Sequence, residues 1–428
     1  MDENNYLGSF ADENVAFTTQ VIRQKVIGDN YWKVMIFVEN DRFVDSSAWL
    51  PAPGSATIKA LTVSVKDYAE NTSGLLRSWL YDLFCNGFNG DCILVACGEQ
   101  VASSNVTVYS ANGKDFFTDA EMSSPASIPE GKIPRASGTE NEYVYTTYGD
   151  ATAFIESMEA AYDLLKAYAY HKTVCAGGTF SIAPAIAVAL AEKCAPDRQL
   201  LSSVPYLPFT SATPESPESD ELFSALKKAD ADAFMSCHAD PSRNAALYSL
   251  GLALVNLNGS GTAVGTSLDM IKSNMITSSG AGGTVPSKAA KDALKASNVQ
   301  YFKPVGDNTA FVAATGDVSI KGEIVAADWI IAYVTYMTKV RIAQMITVPD
   351  FLRNADNYSK IVGVLSLYLP LFGENGSKRL TGMLITAPSF KDLPTSDTDE
   401  IIIPNAWEAT YVDHVRTVKI TGALYIGG

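Results

Sequence analysis

Hydrophobic and polar positions divide the chain into stretches of two different periods. YWKVMIFVE (residues 31–39) and DCILVACGE (91–99) are nearly unbroken apolar runs, the pattern of strands buried on both faces. Between them Leu75, Leu76, Trp79, Leu80, Leu83 and Phe84 share one face at helical spacing, with Ser73 placed as N-cap. SSPASIPEGKIPRASGTENE (123–142) has no period and reads as a loop or linker. A regular alternation follows. Phe154, Ile155, Met158, Ala161, Tyr162 and Leu165 predict a helix capped by Asp150, and HKTVCA predicts a strand. An Ala-rich helix over 182–194 stops at Pro196, and LLSSVPYLPF reads as a strand. Then come a helix with Leu222, Phe223 and Leu226, the strand DAFMSCHA, and a helix over 245–255. Strands alternating with helices predict an α/β fold with a mainly parallel sheet.

The last third changes character. NVQYFKPVG and NTAFVAATGDVSIKG read as a short meander, followed by helices over about 326–346 and 357–371. RLTGMLITAP is strand-like, and LPTSDTDE is a polar loop. The end, ATYVDHVRTVKITGALYIGG, alternates from Val418: Val418, Ile420, Leu424 and Ile426 on one face, Thr417, Lys419, Thr421 and Tyr425 on the other. An unpaired strand at a terminus is a template for joining another chain. The opening VAFTTQVIRQKVI, with Val15, Phe17 and Val21, reads as a second extended arm. The expected organisation is an arm over 1–28, an α/β domain over 29–258 with a loop at 120–148, a C-terminal α+β domain over 259–408, and an arm over 409–428.

Composition narrows the functional classes. A chain of 428 residues exceeds one core and is 47% hydrophobic and 18% charged, as a folded protein is. Its 47 acidic and 32 basic residues, net −15, argue against nucleic acid as a partner. Trp329 to Val334 is far shorter than the roughly 20 apolar residues of a membrane span, and the acidic MDENNYLGSFADEN does not resemble a secretory signal. Six cysteines without a Cys-x-x-Cys pair read as small buried thiols, neither disulfides nor metal ligands.

Catalytic patterns are not evident. His171, His238 and His414 are scattered, without zinc-protease spacing. His171 and Cys175 share a strand face, but a catalytic pair needs an orienting third group and an exposed thiol. GSGTAVGTS (259–267) misplaces its third glycine for a dinucleotide fingerprint, and GENGSKRL fails as a phosphate loop. Gly265-Thr266-Ser267 is similar to the tripeptide around a subtilisin-type nucleophile, yet neither upstream histidine has an evident acidic partner. Asp230 and Asp232 read as a solvated turn. The expectation is a non-enzyme with no catalytic residue, cofactor or metal.

The order of elements, and above all AADWIIAYVTYMTKVRIAQMI followed by a second helix, a strand and YVDHVRTVKITGALYI, resembles the contractile-tail sheath proteins of myovirus-type bacteriophages, in particular a divergent sheath group. The resemblance implies a subtilisin-like α/β domain without its active site, plus an α+β sheath domain. It also implies terminal β arms that leave their own subunit and add strands to neighbours. β-Augmentation of this kind satisfies the strand's backbone groups, and a head-to-tail contact generates a helical filament. The implied partners are other copies of the chain in stacked hexameric rings, a tail tube protein, and baseplate and tail terminator proteins. The implied locations are the virion tail and, during assembly, the host cytoplasm. Basic Lys339, Arg341, Lys378 and Arg379 are the candidates for gripping an acidic tube, although Lys339 and Arg341 also complement a helix dipole. Two rival readings are another tail or baseplate protein and an α/β hydrolase.

Overall fold

Strand β1 (Trp32–Val38) shows why the sheet is buried on both sides. Val34, Ile36 and Val38 enter one apolar cluster, while Met35 and Phe37 enter another. All five are at most 1% exposed. β4 (Asp91–Ala96), parallel to β1, repeats the division, with Cys92, Leu94 and Ala96 on the first side and Ile93 and Val95 on the second. Helix α1 (Gly74–Phe84) covers the first face with Leu76, Trp79, Leu80 and Leu83. Helices α2 (Thr152–Tyr168) and α3 (Pro184–Cys194) cover the second with Phe154, Met158, Tyr162, Ile186 and Leu190. The structure is a computed structural model that describes residues 32–39, 43–52, 54–85, 88, 90–99, 101–168, 172–176, 183–196, 203–206, 217–237, 244, 246–248, 251, 288–305, 310–313, 319–322, 334, 338, 341–342, 345, 354–374, 380–393, 403 and 406–411.

Seven strands make the main sheet. β2 (Leu50–Pro51) and β3 (Lys59–Val63) form a hairpin at one edge, against β4. On the other side of β1 lie β8 (Lys172–Ala176), β9 (Ser203–Tyr206) and β10 (Phe234–Cys237), giving the order β10-β9-β8-β1-β4-β3-β2. Only β3 runs against the rest. Numbered along the chain, the strands β1, β4, β8, β9 and β10 stand in the order 2-1-3-4-5, a doubly wound arrangement with helices on both faces. The chain is therefore α/β in class, as its alternation predicts.

A third cluster extends the second face. Helix α4 (Glu221–Lys228) contributes Phe223 and Leu226, helix α5 (Lys288–Ala296) contributes Leu294, and Met235 and Cys237 come from β10. β11 (Phe302–Val305) and β12 (Ala310–Ala313) form a hairpin where the meander is expected. The first expected C-terminal helix is represented by Val334, Thr338, Arg341, Ile342 and Met345, all helical. The second is α6 (Ala355–Tyr368), prolonged by a 3-10 turn over Leu369–Phe372. Leu365, Leu369, Phe372 and Val334 join the cluster that holds β1 and α1, so the described C-terminal segments share a core with the sheet.

The stretch 123–142 is mostly irregular, as its reading as a loop or linker expects, but Arg135–Ala136 within it form a strand. It belongs to a three-stranded insert between β4 and α2, in which β7 (Glu142–Tyr148) lies between β5 (Ser103–Tyr109) and β6 (Arg135–Ala136). The insert has little apolar anchorage: none of residues 103–147 belongs to the three clusters. Ions hold it instead. Lys132 pairs with Glu221 at 2.9 Å, Glu221 also accepts from Ile133 N–H at 3.1 Å, and Arg135 pairs with Asp220. Glu130 meets Lys228 at 3.0 Å, and the Lys132 ammonium lies 4.8 Å from the Tyr148 ring centre. Burial, with the Glu221 and Asp220 carboxylates close by, pushes the Tyr148 hydroxyl above its ordinary range.

Asp220 also caps α4, accepting from Leu222 N–H at 2.8 Å and Phe223 N–H at 3.0 Å. Asp220→Ala removes both cap and ion pair and is expected to cost about 1–2 kcal/mol of stability, whereas Asp220→Asn keeps the cap and costs less. Thermal melts of the two variants measure the difference. Equal losses would mean that the cap contributes nothing.

Candidate functional site

Two segments near the C-terminus form a sheet of their own. β13 (Leu380–Ile385) and β14 (Trp407–Tyr411) pair antiparallel, Leu380 opposite Tyr411 and Ile385 opposite Trp407. The register shifts between Thr381 and Leu384, and Gly382 sits inside that irregularity at φ 60°, a backbone state that suits glycine at a bulge. Met383, Ile385, Trp407 and Ala409 pack against the α1–β1 core, which fixes one face of the ribbon. Thr381, Leu384, Glu408 and Thr410 are exposed, and Leu384 keeps 54% of its surface in contact with solvent. Among the described residues β13 and β14 pair only with each other. Among those residues each strand has an outer edge without a ladder partner, and an unpartnered edge of backbone donors and acceptors is the feature that recruits a further strand. Tyr358 of α6 braces the connection by donating its hydroxyl to Pro388 O at 2.7 Å.

Ala409, Thr410 and Tyr411, assigned from the sequence to the free terminal arm, are in β14 and paired with β13. The reason is physical: Trp407 and Ala409 alternate toward the core, so the strand is anchored before the arm begins. The arm residues themselves (Val15, Phe17, Val21, Val418, Ile420, Leu424 and Ile426) lie outside the described residues, as do Lys339, Lys378 and Arg379. Arg341 is described, an exposed helical residue.

His171, His238, His414 and Ser267 also lie outside the described residues. Asp230 and Asp232 form a turn: Asp230, at φ 50°, pairs with Lys321 at 3.1 Å, and Asp232 accepts from Ala233 N–H at 3.0 Å. Among the described residues no group of His, Cys, Asp and Glu is arranged to hold a metal ion.

A cleft of about 290 Å³ opens at the carboxyl end of β4. Ser46, Trp49, Thr57, Lys59, Cys97 and Ser157 are among its lining residues. Its one thiol, Cys97, is buried, and burial pushes it above the ordinary thiol range, which favours the protonated form over the nucleophilic thiolate. Burial does the same to Cys92 and Cys237. Alkylation of the native protein at pH 8, followed by mass mapping, is expected to label half-buried Cys85 well before Cys92, Cys97 and Cys237. Labelling of Cys97 as fast as Cys85 would contradict this order.

No protein-family model and no curated protein matches the chain.

Proposed function

We propose that this chain is a structural subunit of a contractile tail sheath. Many copies polymerise helically around a tail tube through exchanged terminal β-strands, and they contract to drive the tube through a host envelope. The observation that carries the reading is the β13–β14 ribbon: two short strands, cemented to the core on one face, with both outer edges open among the described residues. Residues 412–428 continue directly from β14, and their alternating apolar face suits a strand laid on a neighbour's ribbon. A terminal arm of this kind leaves subunits free to shift as rigid bodies while they stay linked.

On this reading the α/β domain is a subtilisin-like layer without an active site. The C-terminal α+β part carries the acceptor ribbon, and the protein is not an enzyme. The energy of contraction comes from assembly contacts, with no nucleotide consumed. The tube, baseplate and tail terminator are the heterologous partners, and the working location is the virion tail.

Electron microscopy of the concentrated protein, full length and cut after Tyr411, tests the reading. Cutting there leaves β14 intact and removes only the arm. Striated hollow tubes that form from the full chain and disappear on truncation are the expected result. Dispersed particles from both forms would overturn the reading and return attention to the cleft at β4.

A further inference from the structure

Residues 130–135 of the insert meet both ends of α4 with charges of matching sign. Glu130 pairs with Lys228, the last residue of the helix, at 3.0 Å. Lys132 reaches Glu221, in its first turn, at 2.9 Å, and Arg135 reaches Asp220, its N-cap. The segment thus runs against the direction of the helix. Between the two cations, Ile133 N–H donates to the second Glu221 oxygen at 3.1 Å, its one acceptor among the described residues.

Each side of this contact is complete without the other. When Arg135 leaves, Asp220 still accepts from Leu222 and Phe223 N–H, so α4 keeps its cap. Within the insert β5 and β7 pair at seven positions, Phe116 stands edge-on to Tyr143 with ring centres 5.3 Å apart, and Phe117 bridges to Tyr109 and Pro125. The insert therefore holds its shape through bonds of its own. Its base is anchored differently. Val101 and Ala151 belong to the second apolar cluster, Tyr148 packs against it, and Gly149 N–H donates to Ala102 O at 2.8 Å where the chain enters and leaves.

We infer that the insert is a hinged flap, swinging as a rigid body about residues 101–103 and 148–151, and held shut by an ionic latch of Lys132 and Arg135 on Glu221 and Asp220. The groups that face the latch are these four, the Glu130–Lys228 pair and the Tyr148 ring beside Lys132. The four latch side chains keep between 13% and 27% of their surface exposed, so salt reaches them, whereas it leaves the apolar base untouched. The Glu130–Lys228 pair is far more exposed and adds little. Opening uncovers the two carboxylates at the start of α4 and the inner side of the insert without unfolding either element. The inference does not depend on the sheath reading.

Amide hydrogen exchange of the full chain, resolved to single residues by mass spectrometry, tests it. Ile133 N–H reports on the latch directly, because Glu221 alone protects it. Raising salt from about 20 mM to about 500 mM, with rates corrected for the effect of salt on free peptides, is expected to speed exchange at Ile133 about tenfold. Lys132→Gln/Arg135→Gln is expected to do the same at low salt. Amides of the β5–β7 ladder and of Leu222 and Phe223 should keep the parent's rates in both experiments. An Ile133 rate indifferent to salt would overturn the latch, and this series on the parent decides the matter even if the double variant folds poorly. Ladder amides that accelerate together with Ile133 would mean that the insert melts instead of swinging, which overturns the flap.

Discussion

Gly251→Ala is expected to destabilise the protein by about 3 kcal/mol, although alanine is the better helix former by about 1 kcal/mol. Gly251 is a buried helical residue, and a Cβ placed on it would stand 2.2 Å from the Leu83 carbonyl oxygen. That oxygen belongs to the backbone of α1, a helix whose Leu76, Leu80 and Leu83 are fully buried, so neither element can give way cheaply. Gly363 is the contrast. It lies in the middle of α6, exposed, and a Cβ there meets nothing within 4 Å. Gly363→Ala therefore gains the propensity term alone, and stability should rise by about 1 kcal/mol. Thermal unfolding of the two variants beside the parent should show shifts of opposite sign. A Gly251→Ala protein as stable as the parent would mean that Gly251 and the Leu83 carbonyl of α1 do not approach as closely as described.

The parts of the fold that were legible in the sequence are those whose signal is apolar. β1 and β4 announce themselves because both faces of each strand are buried, and α1 and α2 because one face is. The insert is hard to read for the opposite reason. SSNVTVY and EYVYTTY alternate, but with Ser, Thr and Tyr, and of β5 and β7 only Val108 and Tyr145 are buried. Its docking rests on charges 85 to 98 positions apart along the chain, a relation that no local pattern carries. Helix α5 is equally hard to read, since KAAKDALKA offers only Ala290 and Leu294 to a core. At the ribbon, the sequence reading assigns Ala409 to Tyr411 to the terminal arm, and the point where pairing starts is not legible in it. Packing of Trp407 against the α1–β1 core decides that point. Of the four basic candidates only Arg341 falls within the described residues, where it is an exposed helical residue.

Asp82 shows how a polar residue can be structural and yet escape a hydrophobic reading. It sits on the buried face of α1, next to Leu83, with no surface exposed to solvent. Its Oδ2 accepts from the backbone N–H of Asn244 at 2.8 Å, and Asn244, equally buried, accepts from Leu247 N–H through its own Oδ1 at 2.9 Å. One carboxylate thus holds Asn244, a few positions before Gly251, the residue that meets α1 at the Leu83 carbonyl. Asp82→Leu would fill the space with apolar atoms but strand the Asn244 N–H in a buried setting, at an expected loss of about 3 kcal/mol. Asp82→Asn keeps an oxygen to accept that bond and is expected to lose about 1 kcal/mol. Thermal unfolding, read together with limited proteolysis between 238 and 251, distinguishes a local from a general effect. Preferential cleavage in that stretch by the leucine variant alone is the expected result. Equal losses from the leucine and asparagine variants would assign the stabilisation to the charge, and no loss from either would show that the Asp82–Asn244 bond does not hold the junction.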